Sequence, residues 1–473
     1  MTQTITIDPV TRLEGHGKIT IQLNGQGEVE DAHFHVTQVR GFERFAEGRP
    51  FYEMPSLMAR ICGICPVSHL VASAKACEAI MSVRIPHTGA QLRRILNLAQ
   101  MVQSHALSFF HLSSPDLLLG LESDPAKRHI LGVAAAYPEL GKAGIGLRRF
   151  GQHIIELLGS KRIHTGWVVP GGVTEPLSAA KRDEMLAMLP EAYANLKLGI
   201  AAYKKIASSF KAEIAVFGNF PTNYLGLINE DESIEFTDGT LRLIDPAGAI
   251  IEDGITAAHF PDVVGEAVEP YSYTKFVYYK PLGYPQGSYR VGPLARLNIV
   301  KSMGTPQADE ELAEFKQMAA GPIESSFHYH HARLVEMMYG IEKIERILAD
   351  PQILDKHVRA TAGVNRLDGA GQIEAPRGVL HHRYKVDEDG KIVWANLVVA
   401  TGHNNSAMNK GVLQAARAYV KDGKFTGGAL NRVEAVIRTF DPCLSCSTHA
   451  FGQMPLVMTL LNADGEQVDQ IVR

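Results

Sequence analysis

Hydrophobic and polar residues alternate at the start of the chain and then change to a helical period. Segments 5–7, 18–23 and 32–36 alternate apolar with polar side chains, and Asn24, Gly25 and Gly27 between them are turn residues. From about Pro55 the apolar period becomes that of a helix. It predicts helices over 67–81, 89–112, 125–159, 178–209 and 309–348, with Pro138 as a candidate break in the third.

Shorter patterns follow in the middle and near the end of the chain. Positions 213–297 are rich in aromatic residues, Gly and Pro, which predicts a strand-rich insertion. Strand patterns return at 381–399, around a turn at 387–390, and at 433–439. No repeat or low-complexity linker divides the chain. We therefore expect an α+β, mainly α fold: one domain over 1–449, with a compact core of long helices, a strand-rich N-terminal lobe at 1–52, the insertion, and strands in the C-terminal region.

Composition narrows the class of protein. The chain has 473 residues, of which 45% are hydrophobic and 21% charged, as in globular proteins. Its net charge of −4 offers no field to recruit nucleic acid or an anionic membrane. No apolar run reaches the ~18 residues of a membrane span, and the first residues lack the features of a secretory signal. With an odd count of five cysteines, a disulfide framework is disfavoured and a cytoplasmic protein is expected.

Four of the five cysteines form two C-x-x-C pairs near opposite ends of the chain. Cys62 and Cys65 make the first pair, and Cys443 and Cys446 the second. Two such turns supply four thiolates, enough for a tetrahedral metal site. A zinc ribbon has its pairs only ~15–20 residues apart, so a local ribbon is disfavoured. The spacing favours one shared tetrathiolate site, with zinc or iron as the default metal, over two separate redox pairs or a coincidence of core cysteines.

The surroundings of the first pair support metal binding. Pro66 directly after Cys65 places that thiol at a helix N-terminus, where the dipole lowers its pKa. Arg60 and His69 flank the pair and can donate hydrogen bonds to sulfur or to a metal-bound ligand. Cys77 is interpreted as a packed helix residue. No cysteine is then left for an iron–sulfur cluster, so the redox partners of such a site must lie on other subunits.

Two further patterns carry weaker signals. His328, His330 and His331 could resemble a metal cluster, but their helical, apolar context favours packing or a subunit contact. No phosphate-binding loop of the P-loop type is present. Gly144 and Gly146 lie inside a helical pattern, so they are a weak dinucleotide signal.

Several segments in chain order resemble the large subunits of nickel–iron hydrogenases. The two metal-binding signatures match RICGICPVSH at 60–69 and DPCLSCSTH at 441–449. The resemblance continues through TRLEGH at 11–16, RGFE at 40–43, HLSSPD at 111–116 and EAPRG at 374–378. The compact length and segments 66–69 and 104–110 most resemble the cytoplasmic, bidirectional NAD-reducing group. The resemblance implies the nickel–iron hydrogenase large-subunit fold.

The resemblance also implies the ligands of a nickel–iron centre. Cys62 and Cys443 would bind nickel terminally, while Cys65 and Cys446 would bridge nickel to an iron that carries carbon monoxide and cyanide. Four further residues would surround this centre. Arg377 would lie over the open metal position, held by Asp116 and Asp441, and the Thr401 hydroxyl would hydrogen-bond a cyanide.

The family pattern assigns proton transfer and a second metal. Hydrogen is split heterolytically in this family, with the Cys443 thiolate as the candidate base and Glu14 as the next proton acceptor. Arg377 is a second candidate for polarising hydrogen or for acting as a base. A magnesium site would be formed by Glu43, the backbone carbonyl of Leu397 and His449.

The implied function is the catalytic subunit of an NAD-reducing hydrogenase, which carries out H2 + NAD+ = NADH + H+. Electrons would pass through a small subunit with iron–sulfur clusters to diaphorase subunits with flavin, iron–sulfur clusters and NAD, none of which this chain would bind itself. Residues 450–473 would be an extension that a maturation protease removes after nickel-insertion proteins have acted. The alternating pattern at 467–472 leaves open a mature C-terminal strand instead.

Other functions remain as alternatives. Electrons could go to a deazaflavin or heterodisulfide system, or the same centre could serve as a hydrogen sensor. The quinone-site relative in respiratory complex I lacks the four cysteines, so their retention argues against it. A zinc-tetrathiolate binding or structural protein is the alternative from a different class.

Overall fold

The N-terminal lobe is an antiparallel sheet, as the alternation predicts. The computed structural model describes residues 3–421, 425–448, 457–461 and 467–472. Strands β1 (Gln3–Ile7), β2 (Gly17–Leu23) and β3 (Val29–Val36) pair in the order β1-β2-β3. One face of this sheet is buried through alternate positions such as Ile19, Ile21 and Leu23. The lobe leads through short helices α1 (Phe42–Ala46) and α2 (Met54–Met58) into the helical core.

Long helices form the centre of the molecule. They are α3 (Pro66–Met81), α4 (His87–Leu107), α7 (Pro138–Gly159), α8 (Ala179–Ala207) and α13 (Tyr329–Ala349). Helix α4 packs against α7 and α13, and α7 packs against α8. A π-helical turn at Ser108–Ser113 continues α4 into α5 (Ser114–Leu119). The predicted helices at 67–81, 89–112 and 178–209 are therefore confirmed within a few residues at each end.

Two sequence predictions need correction, and the candidate break at Pro138 is confirmed. The segment 125–159 is two helices, α6 (Ile130–Ala136) and α7, which meet at the expected break before Pro138. The segment 309–348 is also two, α12 (Pro306–Lys316) and α13, because Gly321 and Pro322 interrupt the pattern between them. The predicted strand at 433–439 is wrong.

That segment lies in helix α16 (Gly427–Phe440). The Thr426 hydroxyl accepts a hydrogen bond from the N–H of Ala429 and caps the helix. Val433, Val436 and Phe440 are buried along one helical face, so the β-branched residues follow a helical period rather than an alternating one.

The middle of the chain is rich in strands, as expected, and also carries short helices. Strands β6 (Asn223–Ile228), β7 (Thr240–Ile244), β8 (Ile250–Ile255) and β11 (Tyr289–Arg290) form one sheet in the order β11-β6-β7-β8, while β9 (Val264–Ala267) and β10 (Phe276–Tyr279) form a hairpin. The helices of this region are α9 (Lys211–Val216), α10 (Phe260–Val263) and α11 (Pro293–Ile299).

A C-terminal sheet packs on the core and carries a site residue at a turn. Strands β12 (Asp368–Ala375), β13 (Gly378–Val386) and β14 (Ile392–Val398) form an antiparallel sheet, of which β12, absent from the sequence prediction, contacts α3. Ala375 pairs with Gly378, so Pro376 and Arg377 form a two-residue turn.

The other described elements complete the chain. They are β4 (Val168–Val169), β5 (Gly172–Val173), α14 (Ala400–His403), α15 (Asn405–Tyr419), α17 (Leu444–Ser447), β15 (Val457–Leu461) and β16 (Gln467–Val472). Strands β15 and β16 pair with each other, so the alternation at 467–472 does mark a strand. Among the described residues, no helix combines the length and apolar character needed to cross a bilayer.

Candidate metal centre

Four cysteine thiols from the two ends of the chain meet at one buried point. The Sγ atoms of Cys62 and Cys443 lie 3.2 Å apart, those of Cys65 and Cys446 3.4 Å, and those of Cys443 and Cys446 3.0 Å. All four thiols are buried, and none forms a disulfide. Within the described ranges, this is the sole group of three or more metal-binding side chains whose ligand atoms lie within 4.8 Å of one another.

Local backbone structure positions the first pair. A 3-10 turn at Ala59–Ile61 ends at Cys62, and Cys65 caps α3 with Pro66 as its first residue. The N–H groups of Ile64 and Cys65 each donate to the Cys62 Sγ at 3.2 Å. The predicted place of Cys65 at the start of a helix is confirmed, but its predicted low pKa is wrong. Hydrogen bonds with Cys443 and Cys446 lower the pKa of Cys65, yet the hydrogen bond with Cys62 and burial outweigh them and raise it.

The second pair depends on contacts from elsewhere in the chain. Helix α16 ends at Phe440, and Asp441 after it adopts a left-handed conformation with φ 54° and turns the chain toward Cys443. The N–H of Cys443 donates to the Thr401 Oγ1 at 2.9 Å. Cys443 then caps α17, which has only four residues, so tertiary contacts rather than a long helix hold this pair.

Glu14 lies directly against the second pair. Its Oε2 is 3.1 Å from the Cys443 Sγ and accepts a hydrogen bond from the N–H of Ser445 at 3.0 Å. The backbones also meet, because the N–H of Leu444 donates to the Glu14 carbonyl at 3.1 Å. Gly15, with φ 90°, permits this approach, since a Cβ there would lie 2.6 Å from the Leu444 Cβ.

Arg377 places a buried guanidinium beside the thiols. Its Nη2 lies 2.9 Å from the Asp441 carboxylate, its Nε donates to the Asp441 carbonyl, and its Nη1 donates to the Ser104 hydroxyl at 3.3 Å. Burial opposes the charged form, but Asp441 and the thiolates of Cys443, Cys65 and Cys62 hold the pKa of Arg377 well above its ordinary value.

Asp116 does not hold Arg377, which corrects the expectation from the family pattern. Its carboxylate pairs with Arg12 at 2.6 Å and with Arg438 at 2.8 Å, and it accepts a hydrogen bond from Asn431 at 3.0 Å. These cations outweigh the burial and lower the pKa of Asp116. Because Arg12 and Arg438 engage Asp116, Asp441 is the carboxylate that pairs with Arg377 in the described part of the chain.

A small cavity adjoins the thiols on the side of Arg377. Its apolar wall consists of Ala375, Pro376, Leu380, Val399 and Ala400, and its polar lining includes His69, Arg377 and Thr401 together with three of the thiols. The His69 Nδ1 lies 3.2 Å from the His382 Nε2, so this ring is held within the core. The Thr401 Oγ1 accepts from Cys443, which leaves its own proton for another acceptor.

Glu43 and Leu397, the residues expected at a magnesium site, are neighbours. The Glu43 Oε1 accepts a hydrogen bond from the N–H of Leu397 at 2.8 Å. The third expected ligand, His449, lies outside the described residues. Thr448 just before it accepts a hydrogen bond from the N–H of Arg40 at 2.7 Å, close in sequence to Glu43.

The four buried thiols need cations in order to ionise together. Burial raises the pKa of Cys443 and Cys446 well above the ordinary value. At Cys62 burial also opposes ionisation, but hydrogen bonds from the other three thiols outweigh it and hold the pKa well below that value. Four thiolates cannot share such a volume without cations, and metals bind the thiolate form. The donor set of four sulfurs beside one guanidinium therefore suits bound metal.

Other sequence candidates lie away from the thiols. Arg60 turns outward and donates to the carbonyl of Ser56 rather than to a sulfur of the pair. Cys77 is buried in α3 and donates to the Phe51 carbonyl at 3.1 Å, as expected of a packed residue.

The three histidines of the 328–331 segment pack against aromatic side chains, as predicted. His331 lies against Tyr203 and Phe315, and His330 against Phe109 and Phe327. Burial lowers the pKa of His328 to about 4 and that of His330 to about 3.

Some residues near the site were not identified from the sequence. Ser104 accepts from Arg377, and Arg12 and Arg438 pair with Asp116. Arg438 stands three positions before Asp441 and Arg12 two positions before Glu14, so proximity to predicted site residues was the available signal.

Comparisons with known proteins agree with this centre. A family model described as nickel-dependent hydrogenase matches residues 40–135 and 144–449, and one described as HoxL-like matches residues 4–39. The chain is 39% identical to the beta subunit of the NAD-reducing hydrogenase HoxS of Cupriavidus necator, with all of both chains covered. It is 42% identical to one subunit of the F420-non-reducing hydrogenase vhu of Methanocaldococcus jannaschii, over 88% of this chain and 99% of that one.

Solved structures show the same fold. The crystal structure of an NAD+-reducing nickel–iron hydrogenase in the H2-reduced state superposes with a TM-score of 0.92 at 42% identity, covering 94% of this chain and 99% of that one. The Ni-Fe-Se hydrogenase of D. vulgaris Hildenborough gives a TM-score of 0.74 at 26% identity, covering 95% and 100% of the two chains. The chain belongs to the nickel-dependent hydrogenase family, as the large, catalytic subunit of a nickel–iron hydrogenase.

Proposed function

We propose that this chain is the hydrogen-activating subunit of an NAD-reducing hydrogenase, with the overall reaction H2 + NAD+ = NADH + H+. The observation that carries the proposal is the buried four-thiol cluster, in which Cys443 touches a carboxylate and Arg377 supplies a cation. The relative in Cupriavidus necator and the structure with TM-score 0.92 are both described as NAD-reducing, which favours NAD as the acceptor.

The ligand assignment follows the family pattern. Cys62 and Cys443 would bind nickel alone, and Cys65 and Cys446 would bind both nickel and iron. When bound, the two metals supply the electrophilic site at which hydrogen is split heterolytically. The carbon monoxide and cyanide of the iron would lie in the small cavity beside the thiols, and the free proton of the Thr401 hydroxyl supports a hydrogen bond to cyanide.

Proton transfer would start at Cys443. A terminal thiolate keeps a lone pair that can take a proton, and the Glu14 Oε2 lies 3.1 Å from that sulfur, within the reach of direct transfer. Ser445 holds the carboxylate in place through its N–H. Glu14 would then pass the proton toward solvent.

Arg377 would act as a fixed cation. Its guanidinium stays charged across the working pH range and offsets the negative charge of the buried sulfurs, while Asp441 fixes its direction. Asp116 would act at longer range: it joins Arg12, near Glu14, to Arg438, near Asp441.

A magnesium ion is part of the same proposal. Glu43 and the carbonyl of Leu397 would be two of its ligands and His449 the third, with water completing the oxygen-rich shell that magnesium prefers. The contact of Thr448 with Arg40 supports this placement, because it brings the residue before His449 close to the chain segment that carries Glu43.

The proposed partner subunits would carry the redox groups that this chain does not bind itself. No cysteine is left to bind an iron–sulfur cluster, so a small subunit would carry such clusters and diaphorase subunits would carry flavin and the NAD site, in a cytoplasmic complex. Nickel-insertion proteins and a protease would complete maturation, the latter by removing residues 450–473.

The test is made on the purified complex. We expect about one nickel and one iron per chain, infrared bands of metal-bound carbon monoxide and cyanide, hydrogen-dependent reduction of NAD+, and a mass that ends at His449. Zinc alone would refute the nickel–iron centre. Hydrogen oxidation with dyes but not with NAD+ would favour the second candidate, an acceptor other than NAD, which the similarity to F420-non-reducing hydrogenases supports.

A further inference from the structure

A fully buried ionic cluster lies behind the turn that carries Arg377. Arg296, from α11, donates through Nε and Nη2 to both oxygens of Glu336, at 2.6 and 2.7 Å, and through Nη1 to Glu374 at 2.5 Å. His105 contacts Glu336 at 2.8 Å. The side chains of these four residues, the Arg296 cluster, are 0% exposed.

The cluster holds the backbone of the turn itself. Arg296 also donates to the carbonyl of Ala375 through Nη1 and to that of Pro376 through Nη2, both at 3.2 Å. These are the two residues that immediately precede Arg377. All three nitrogens of this guanidinium are thus engaged, and its direction is fixed by two carboxylates.

The approach of α11 to the turn is also built into the backbone. Gly292, directly before α11, has φ 91°, and a Cβ there would lie 2.6 Å from the Arg377 carbonyl oxygen. Helix α11 therefore touches the turn at two places, one through Gly292 and one through Arg296.

Stability alone gives a poor reason for such a cluster. Burial lowers the pKa of His105 and raises that of Glu374 to about 7, so it opposes the charged form of both. Buried ion pairs can often be replaced by apolar side chains without loss of stability. A cluster of this kind does set geometry, because each member has a single arrangement in which its hydrogen bonds are made.

We infer that Arg296 is a positioning residue for Arg377: it holds the Pro376–Arg377 turn so that the Arg377 guanidinium stays beside the thiols. The inference rests on the proposed role of Arg377 in hydrogen activation. Glu336 and Glu374 act through Arg296, whose planar fork a lysine cannot reproduce.

The chain provides a matched control. Arg93 is also buried, pairs with Glu78 at 2.5 Å, and donates to the carbonyls of Val169 and Gly172, which flank the two-residue turn between β4 and β5. That turn carries no residue of the metal centre. Arg93 stands on the same helix as Ser104, the partner of Arg377, but about 16 Å away along the axis.

The experiment is a double-mutant cycle in the purified complex. Arg296→Lys, Arg377→Lys and the double variant are compared for nickel and iron content and for kcat of hydrogen oxidation with a dye acceptor. We expect Arg296→Lys to retain both metals and to lose about 100-fold in kcat, the scale of a misplaced catalytic group. In the Arg377→Lys background the same change should alter kcat less than about threefold.

Each other outcome is decisive. An unchanged kcat in Arg296→Lys, or an equal loss in both backgrounds, would overturn the inference. Arg93→Lys should lower the melting temperature and leave kcat unchanged; an equal loss of kcat there would show a general effect of removing a buried arginine and also refute it. If Arg296→Lys does not assemble with its metals, Glu336→Gln is measured in the same cycle with the same criteria. A wild-type complex without hydrogen turnover would instead refute the proposed function.

Discussion

The two C-x-x-C pairs reach one point by different means. The first pair stands at the start of a 16-residue helix, where Pro66 and the backbone N–H groups of Ile64 and Cys65 set the direction of the sulfurs. The second pair stands on a four-residue helix and is held by Thr401 and by the segment around Glu14. Local structure suffices for one pair, whereas the other needs distant parts of the chain.

This difference between the two pairs predicts which changes affect folding and which affect turnover. Changes near the first pair should act mainly on folding, because a long helix can absorb them. Changes near the second pair should act on turnover, because the same contacts that hold Cys443 also bring Glu14 to its sulfur. The following changes test this contrast, from the largest expected effect to the smallest.

Loss of one thiol from either pair should abolish the centre. We expect Cys65→Ser and Cys446→Ser complexes to lack nickel and to show no hydrogen oxidation, because all four thiols share one ligand set. Cys77→Ser is the control: this buried cysteine is outside the cluster and should leave the nickel content unchanged. Elemental analysis measures the result, and a Cys65→Ser complex with a normal nickel content would contradict the shared site.

Removal of the carboxylate at Glu14 should separate metal binding from turnover. Glu14→Gln keeps an oxygen for the Ser445 N–H but loses the proton acceptor 3.1 Å from Cys443. We expect a loss of about 10²- to 10⁴-fold in kcat, the usual contribution of a general base, with nickel and iron retained. The rate of exchange between D2 and water protons should fall in parallel. Full activity in this variant would remove Glu14 from the proton route.

A methyl group at Gly15 should disturb the second pair without touching a ligand. A Cβ there would lie 2.6 Å from the Leu444 Cβ at φ 90°, so Gly15→Ala should destabilise the chain by about 3 kcal/mol and lower kcat. Gly25→Ala, with nothing within 4 Å, is the matched control in the same lobe. Denaturation and hydrogen oxidation measure the two effects; equal behaviour of the two variants would show that this approach has no role.

Removal of the Thr401 hydroxyl should destabilise the chain less than the change at Gly15. Thr401→Val leaves the Cys443 N–H buried without an acceptor, which should cost about 2 kcal/mol. Thr401→Ser keeps the hydroxyl and should restore most of this stability. If cyanide accepts the other hydrogen bond, the infrared bands of the Val variant will shift and those of the Ser variant will not. Matching spectra in both variants would contradict the cyanide contact.

The smallest effect is expected at the first pair. Pro66→Ala removes a residue whose fixed φ suits the first position of α3, and it should cost about 1 kcal/mol through the unfolded state. Activity per nickel should not change, because the rest of the helix keeps Cys65 in place. A marked fall in activity per nickel would show that the first pair depends on local detail as strongly as the second does.

Much of the fold could be predicted because its signals are local. The alternation at 18–23 corresponds to strand β2, and the helical period at 67–81 corresponds to helix α3. Burial of one face gives each element its period. The wrong predictions arose where residue type and residue spacing indicate different elements. The β-branched residues of 433–439 resemble a strand, but the Thr426 cap and the spacing of Val433, Val436 and Phe440 make a helix.

The carboxylates of the site show where sequence reasoning stops. Asp116 and Asp441 were expected to share Arg377, yet Asp441 pairs with it and Asp116 does not, because Arg12 and Arg438 occupy Asp116. Choice among several buried cations depends on distances of a few ångströms between elements that are remote in sequence. The Arg296 cluster was likewise invisible, since its members come from four separate elements.

The sequence by itself determined the ligand set, the motifs that mark the family and the long amphipathic helices. These depend on residue identity and on short-range period, both of which are written along the chain. Only the tertiary structure decided which aspartate holds Arg377 and which arginine supports its turn. Those contacts join residues from opposite parts of the polypeptide, and packing, rather than local spacing, determines which of them meet.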